Sequence, residues 1–161
     1  MKRYIKAFLP NFRPVRGCDA SFDLESFSGE EFDCGLSHDD MGVYVISVTD
    51  GTKYKYPNGK ESPIIYIGKS DDLLRRLKDE HFGKGLRHLL NDPDYGLKNN
   101  EQLASRYQYM FYNGSRVDVF KCRGKQESKE MEVSFLYNFY REYRALPVGN
   151  GARSFGFMSN I

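Results

Sequence analysis

A chain of 161 residues suits one domain with a sizeable core, and 40% hydrophobic with 29% charged residues is a globular composition. The net charge of +2 is too small to announce a nucleic-acid partner by itself, and three cysteines without CxxC spacing fit a reducing cytoplasm better than a disulfide framework and offer no zinc site. No run approaches the ~20 apolar residues of a membrane span, and the start MKRYIKAFLPNF is too short in apolar residues for a signal peptide.

These features predict a soluble cytoplasmic protein with no membrane partner. Charge is unevenly spread: residues 1–16 hold five Lys or Arg and no acid, and residues 19–40 hold eight Asp or Glu and neither Lys nor Arg. A solvated acidic loop is the simpler reading of that block, and pairing with a basic face of the main domain is the alternative.

Residues 1–41, punctuated by Pro10, Pro14, Gly17, Gly29 and Gly35, are expected to form an irregular extension. The domain proper is expected over 42–161. GVYVISVTD (42–50) reads as a strand closed by the turn dipeptide Asp50-Gly51. After a polar stretch, IIYIG (64–68) reads as a second strand, so 42–68 predicts an antiparallel hairpin with a long loop. Ser70 is placed as the N-cap of a helix, with Asp71 and Asp72 in its first turn and Leu73, Leu74 and Leu77 as its apolar stripe. The region 83–105 reads as weaker helix and loop. YQYMFYNGSRVDVFKC (107–122) predicts a second hairpin around Asn113-Gly114, and a last amphipathic helix is expected from about Ser128 to Tyr143. The order predicts an α+β fold: a small antiparallel sheet flanked by helices, with an additional hairpin strand.

Helical geometry sorts the polar residues. At 100° per residue, Leu136, Phe139 and Tyr143 fall within about 40° of Glu132, which therefore centres the apolar stripe of the last helix. A carboxylate there is costly unless it is paired or holds a metal. Arg76 stands about 60° from Leu73 and flanks the core-facing stripe, whereas Arg75 and Lys78 fit a solvated face. Taken singly, Tyr44 and Tyr66 are good strand formers. His81 fits an edge histidine or a partner for the helix dipole.

Together these residues describe more. Gly68 ends a strand without a Cβ, so a ligand can come close. Lys69 and Arg76 offer a point charge and a fork of donors for phosphate. Tyr44 and Tyr66 add hydroxyls, and a lone carboxylate suits Mg²⁺, which keeps most of its waters. Two cations, two phenols and one acid suit metal-assisted attack on a phosphodiester.

The ordered set resembles the GIY-YIG nuclease family. Its motifs are Gly42-Val43-Tyr44 and Tyr66-Ile67-Gly68, then Arg76 eight residues after the motif glycine, Glu132 in EVSFLYNF, and Asn150 in LPVGN. The resemblance covers roughly 42–150. It implies a three-stranded antiparallel sheet with helices and an endonuclease that cuts DNA, less commonly RNA, with one divalent metal, Mg²⁺ or Mn²⁺. Glu132 would hold the metal and Arg76 would stabilise charge on the phosphate. Tyr44 would be the general base, with Lys69 depressing its pKa, and Tyr66 would position phosphate or water. Gly68, Asn150 and His81 would line the substrate side. Some members carry a histidine four residues after the arginine; here Glu80 takes that place and His81 follows it. The alternative is a module of the same fold that binds nucleic acid without cutting it.

Overall fold

The computed structural model describes residues 17–84 and 113–150. It is an α+β fold around a four-stranded antiparallel sheet of order β1-β6-β2-β5. The strands are β1 (Ala20–Asp23), β2 (Met41–Val48), β5 (Ile64–Ser70) and β6 (Ser115–Cys122). The polar stretch between β2 and β5 folds into its own two-stranded ribbon, β3 (Tyr54–Lys55) with β4 (Glu61–Ser62). Two longer helical elements lie among the described residues. The first begins as α1 (Leu73–Arg75) and continues as a π-helix over Arg76–Lys84; the second is α2 (Lys125–Tyr143).

The expected hairpin over 42–68 is present as β2 paired with β5. Its register has a bulge: Ile46 faces Tyr66 but Ser47 faces Ile64, which leaves Ile65 as the extra residue. Simple alternation would put Ile65 and Tyr66 on opposite faces of the sheet. With the bulge, Ile64 and Ile67 pack on the α2 side while Ile65 and Tyr66 both join the other side. The carbonyl of Ile65 accepts a hydrogen bond from the Gly149 amide at 2.7 Å.

Each face of the sheet has its own core. On one, Val43, Val45, Ile67 and Phe120 meet Met131, Phe135, Leu136 and Phe139 of α2, with the Phe120 and Phe135 rings edge-on at 5.2 Å. On the other, Tyr44, Ile46, Val117 and Val119 meet Leu73 and Leu77 of the first helical element. Close strand contact is built into Gly42, where a Cβ would lie 2.1 Å from the Phe120 carbonyl oxygen of β6.

The segment before residue 42, expected to be irregular, supplies β1 and a 3-10 turn over Leu24–Ser28. Leu24 is fully buried in the second core, and Phe22, Phe27 and Phe32 form a mutually edge-on cluster at 5.4–5.7 Å that reaches Phe82 of the π-helix. Scattered phenylalanines among turn residues show no strand period, so the pattern hides a four-residue strand. The acidic block is also tied down rather than only solvated. Asp40 pairs with Lys121 at 3.1 Å, Asp19 accepts from the Lys121 amide, and His38 pairs with Asp72 at 2.9 Å.

One further expectation changes. Asp72, not Ser70, caps α1 by accepting from the Arg75 amide at 2.9 Å, and that bond holds its pKa below the ordinary carboxylate value. Ser70 stays in β5 and bonds the Asp72 backbone, so the chain turns before the helix starts. Along Arg116–Val119, both edges of β6 are taken, by β2 and β1. The proposed first strand of the second hairpin, residues 107–112, lies outside the described residues, as does most of 83–105. No helix among the described residues is long and apolar enough to cross a membrane.

If the 3-10 turn belongs to the core, Leu24→Ala should cost about 2–5 kcal/mol through lost burial and the cavity it leaves. A lowered urea midpoint with an unchanged slope is the expected reading. An unchanged midpoint would make residues 24–28 a detachable appendage.

Candidate functional site

Antiparallel pairing sets Tyr44 of β2 opposite Gly68 of β5, so the phenol ring crosses the glycine. A Cβ at Gly68 would lie 2.6 Å from Tyr66 Cε1 and 2.8 Å from the Tyr44 hydroxyl oxygen. The room gained from the missing side chain is thus filled by the chain's own two tyrosines, not kept open for a ligand. Their rings are tilted at 5.8 Å between centroids, with Tyr44 1% exposed and Tyr66 half-buried. The bulge at Ile65 brings Tyr66 to this face.

The π-helix closes the site from outside. Its i→i+5 hydrogen-bond pattern winds more slowly than an α-helix, so residues five apart come near one face. In an α-helix at 100° per residue, Arg76 and His81 would stand about 140° apart. Here His81 is buried against both tyrosines, with ring centroids 5.4 Å from each, and its Nε2 lies 2.6 Å from the Tyr44 hydroxyl. Arg76, at the start of the same segment, is half-buried. Burial pulls its pKa down, but the neighbouring Tyr44, Glu80 and Tyr66 outweigh burial and leave it raised.

Glu132 enters from the opposite side, on α2, one turn before Leu136. Burial raises its pKa, and Lys69 and Arg76 oppose the rise without cancelling it. It forms no hydrogen bond or ion pair among the described residues. Lys69 pairs across to Val43, so it leaves β5 on the α2 side, away from Tyr44. Arg76 is a cation whose field reaches Tyr44, and Lys69 acts on Glu132. Glu132 senses cations from both faces of β5, and there the two halves of the set meet.

Asn150 has a different place from that expected. Its Oδ1 accepts from the Ile67 amide at 3.0 Å and its Nδ2 donates to the Ile67 carbonyl at 2.7 Å. The side chain imitates a neighbouring strand and pins the centre of Tyr66-Ile67-Gly68. Glu80 is the residue that the sequence reading passed over as a site member. Its carboxylate takes ion pairs from both Arg75 and Arg76. The Arg76-to-Glu80 spacing of four was the available signal, since it is the ordinary helical ion-pair spacing.

A divalent metal fits this donor set in a limited way. No group of three or more His, Cys, Asp or Glu side chains gathers among the described residues, so a full protein cage is not offered. Glu132 is a half-buried carboxylate whose charge the two cations compensate only in part, and that leaves room for positive charge beside it. One carboxylate with waters and a phosphate is a normal Mg²⁺ arrangement.

Two outcomes follow from this geometry. Gly68→Ala must displace a tyrosine ring, so about 1–3 kcal/mol of overpacking cost and an altered near-UV tyrosine spectrum are expected. A native-like spectrum with full stability would show that the rings are not packed across position 68. Glu132, with its pKa raised by folding, favours the folded state at low pH. That contribution fades as pH rises through its folded pKa. Glu132→Gln is therefore expected to raise the melting temperature near neutral pH in the presence of a chelator, with the gain shrinking under acid. A variant less stable than the wild type at neutral pH would contradict it.

Compared with protein-family models, curated proteins and solved structures, the chain matches none.

Proposed function

We propose that the protein is a metal-dependent endonuclease of the GIY-YIG type that hydrolyses phosphodiester bonds in DNA. The observation that carries this reading is the electrostatic coupling of Arg76 to Tyr44, Tyr66 and Glu132. These residues come from β2, β5, the π-helix and α2, yet Arg76 lies in the field of both tyrosines and of Glu132. Core packing alone accounts for the tyrosines. It does not account for a half-buried carboxylate in the field of two cations with no ion-pair partner among the described residues.

In this reading Arg76 binds the scissile phosphate and stabilises the charge that builds on its oxygens. Lys69 draws the phosphate toward Glu132. Tyr44 is the general base. Its proton moves to His81 Nε2 across the 2.6 Å hydrogen bond, which makes the phenol basic enough to take a proton from the attacking water. The water oxygen bonds to phosphorus as a phosphodiester P–O bond breaks. Tyr66 orients the phosphate or the water. Glu132 would hold Mg²⁺ or Mn²⁺, which supplies charge neutralisation at the phosphate when bound. Asn150 acts through β5 by fixing Ile67, and does not touch the reacting atoms.

The test is incubation of the full chain with plasmid and with short duplexes, linear and branched, with and without Mg²⁺ or Mn²⁺. Metal-dependent cleavage is expected. Arg76→Ala and Glu132→Ala should each lower it at least about 100-fold, and Tyr44→Phe comparably. Folded wild-type protein that binds these duplexes and cuts none would favour the non-catalytic module. Equal cutting by Glu132→Ala would overturn the mechanism.

A further inference from the structure

Arg76 is bound to an anion that belongs to the chain itself. Glu80 Oε2 pairs with Arg76 Nη1 while Glu80 Oε1 pairs with Arg75 Nη1, so two guanidinium groups converge on one carboxylate. Arg75 is five residues before Glu80, a spacing that an α-helix would set about 140° apart and that π winding brings together. Glu80 is the most shielded of the three, with its side chain 20% exposed against 49% for Arg75 and 39% for Arg76. Arg76 Nε is buried and has no hydrogen-bond partner among the described residues, so only part of the fork is in use.

A carboxylate and a phosphodiester present two oxygens to the same kind of fork. From this juxtaposition we propose that Arg75 and Arg76 form a two-guanidinium phosphate site closed in the resting protein by Glu80, whose carboxylate an incoming phosphate must displace. The identity of that phosphate as nucleic-acid backbone rests on the function proposed above. Arg75 thereby becomes a binding residue, although its place on the helix reads as solvated. Glu80 becomes a competitor that sets affinity: a weakly held anion fails to open the site, and a backbone phosphate steadied by further contacts succeeds. Once Glu80 is displaced, Arg76 Nη1 is released to the phosphate.

The test uses the full chain and two probes, inorganic phosphate followed through the arginine Nε resonances, and a short duplex followed by cleavage. Glu80→Gln keeps the shape and removes the charge. It should bind inorganic phosphate about fivefold more tightly, as expected for loss of one partly exposed ion pair. The KM for the duplex should fall in step while kcat stays within about twofold of the wild type. Adding Arg75→Ala to Glu80→Gln should return the phosphate affinity to near the wild-type value. Thermal melts compare the folding of each variant, and Glu80→Ala gives a second removal of charge. A fall in kcat at constant KM would make Glu80 a positioning residue for Arg76 and overturn the proposal. Indifference of phosphate affinity to Glu80, or to Arg75 once Glu80 is neutral, would also overturn it. Phosphate binding that responds as stated in a protein that cuts no nucleic acid would sink the nuclease reading and leave this one standing. Cleavage with an unresponsive phosphate affinity would do the reverse.

Discussion

Two aromatic rings share the space above a single glycine, and the layout of the site depends on that contact. Tyr44 reaches it because β2 and β5 pair antiparallel with Tyr44 opposite Gly68, and Tyr66 because the bulge at Ile65 turns it to the same face. Once both rings lie there, the neighbouring helix must present a polar partner to the buried phenol. His81 is that partner, and π winding lets the same helix also carry Arg76 toward the tyrosines. The N-terminal segment then closes the back of the helix, with Phe27 against Phe82. Strand register, a bulge and a slow helical winding thus combine to serve one small volume.

The electrostatics are arranged across the sheet. Tyr44 and Arg76 stand on one side of β5, Lys69 and α2 on the other, and Glu132 answers to cations from both. A half-buried carboxylate of this kind works against folding at neutral pH, and proteins commonly retain such groups where activity needs them. Hydrophobic residues surround it on α2 from Met131 to Tyr143, so the helix would pack well without it. Stability supplies no reason for Glu132 to be charged, whereas the proposed phosphate and metal chemistry would supply one.

Much of the fold was legible because it rests on periodicity. Alternating Val and Ile identified β2, the Leu73-Leu77 spacing identified the helix after β5, and the stripe through Glu132 identified α2 and the anomaly within it. The bulge was not legible, because IIYIG reads the same whether or not Ile65 is an extra residue. Nor was the π-helix: a periodicity reading assumes 100° per residue, and under that assumption His81 points away from Arg76. Strand β1 escaped because ASFD is short and gains its stability from β6, about a hundred residues later. The cap moved from Ser70 to Asp72 because two acceptors two residues apart compete, and only the tertiary path selects one. Among the candidate site residues, side-chain type and order were enough to propose Tyr44, Tyr66, Lys69, Arg76 and Glu132. The connections between them were not, since each depends on which face of β5 a residue occupies.

The pairing of Asn150 and Gly149 with β5 bears on how copies of this protein could meet. An edge strand with free amides and carbonyls invites another strand to add to it, the usual route to domain swapping and fibrous aggregation. At Ile65 and Ile67 those groups are already occupied, by the Gly149 amide and by both ends of the Asn150 carboxamide. The strand that carries Tyr66, Gly68 and Lys69 is therefore closed to strand addition at its centre. Strand addition there would first have to displace Gly149 and Asn150.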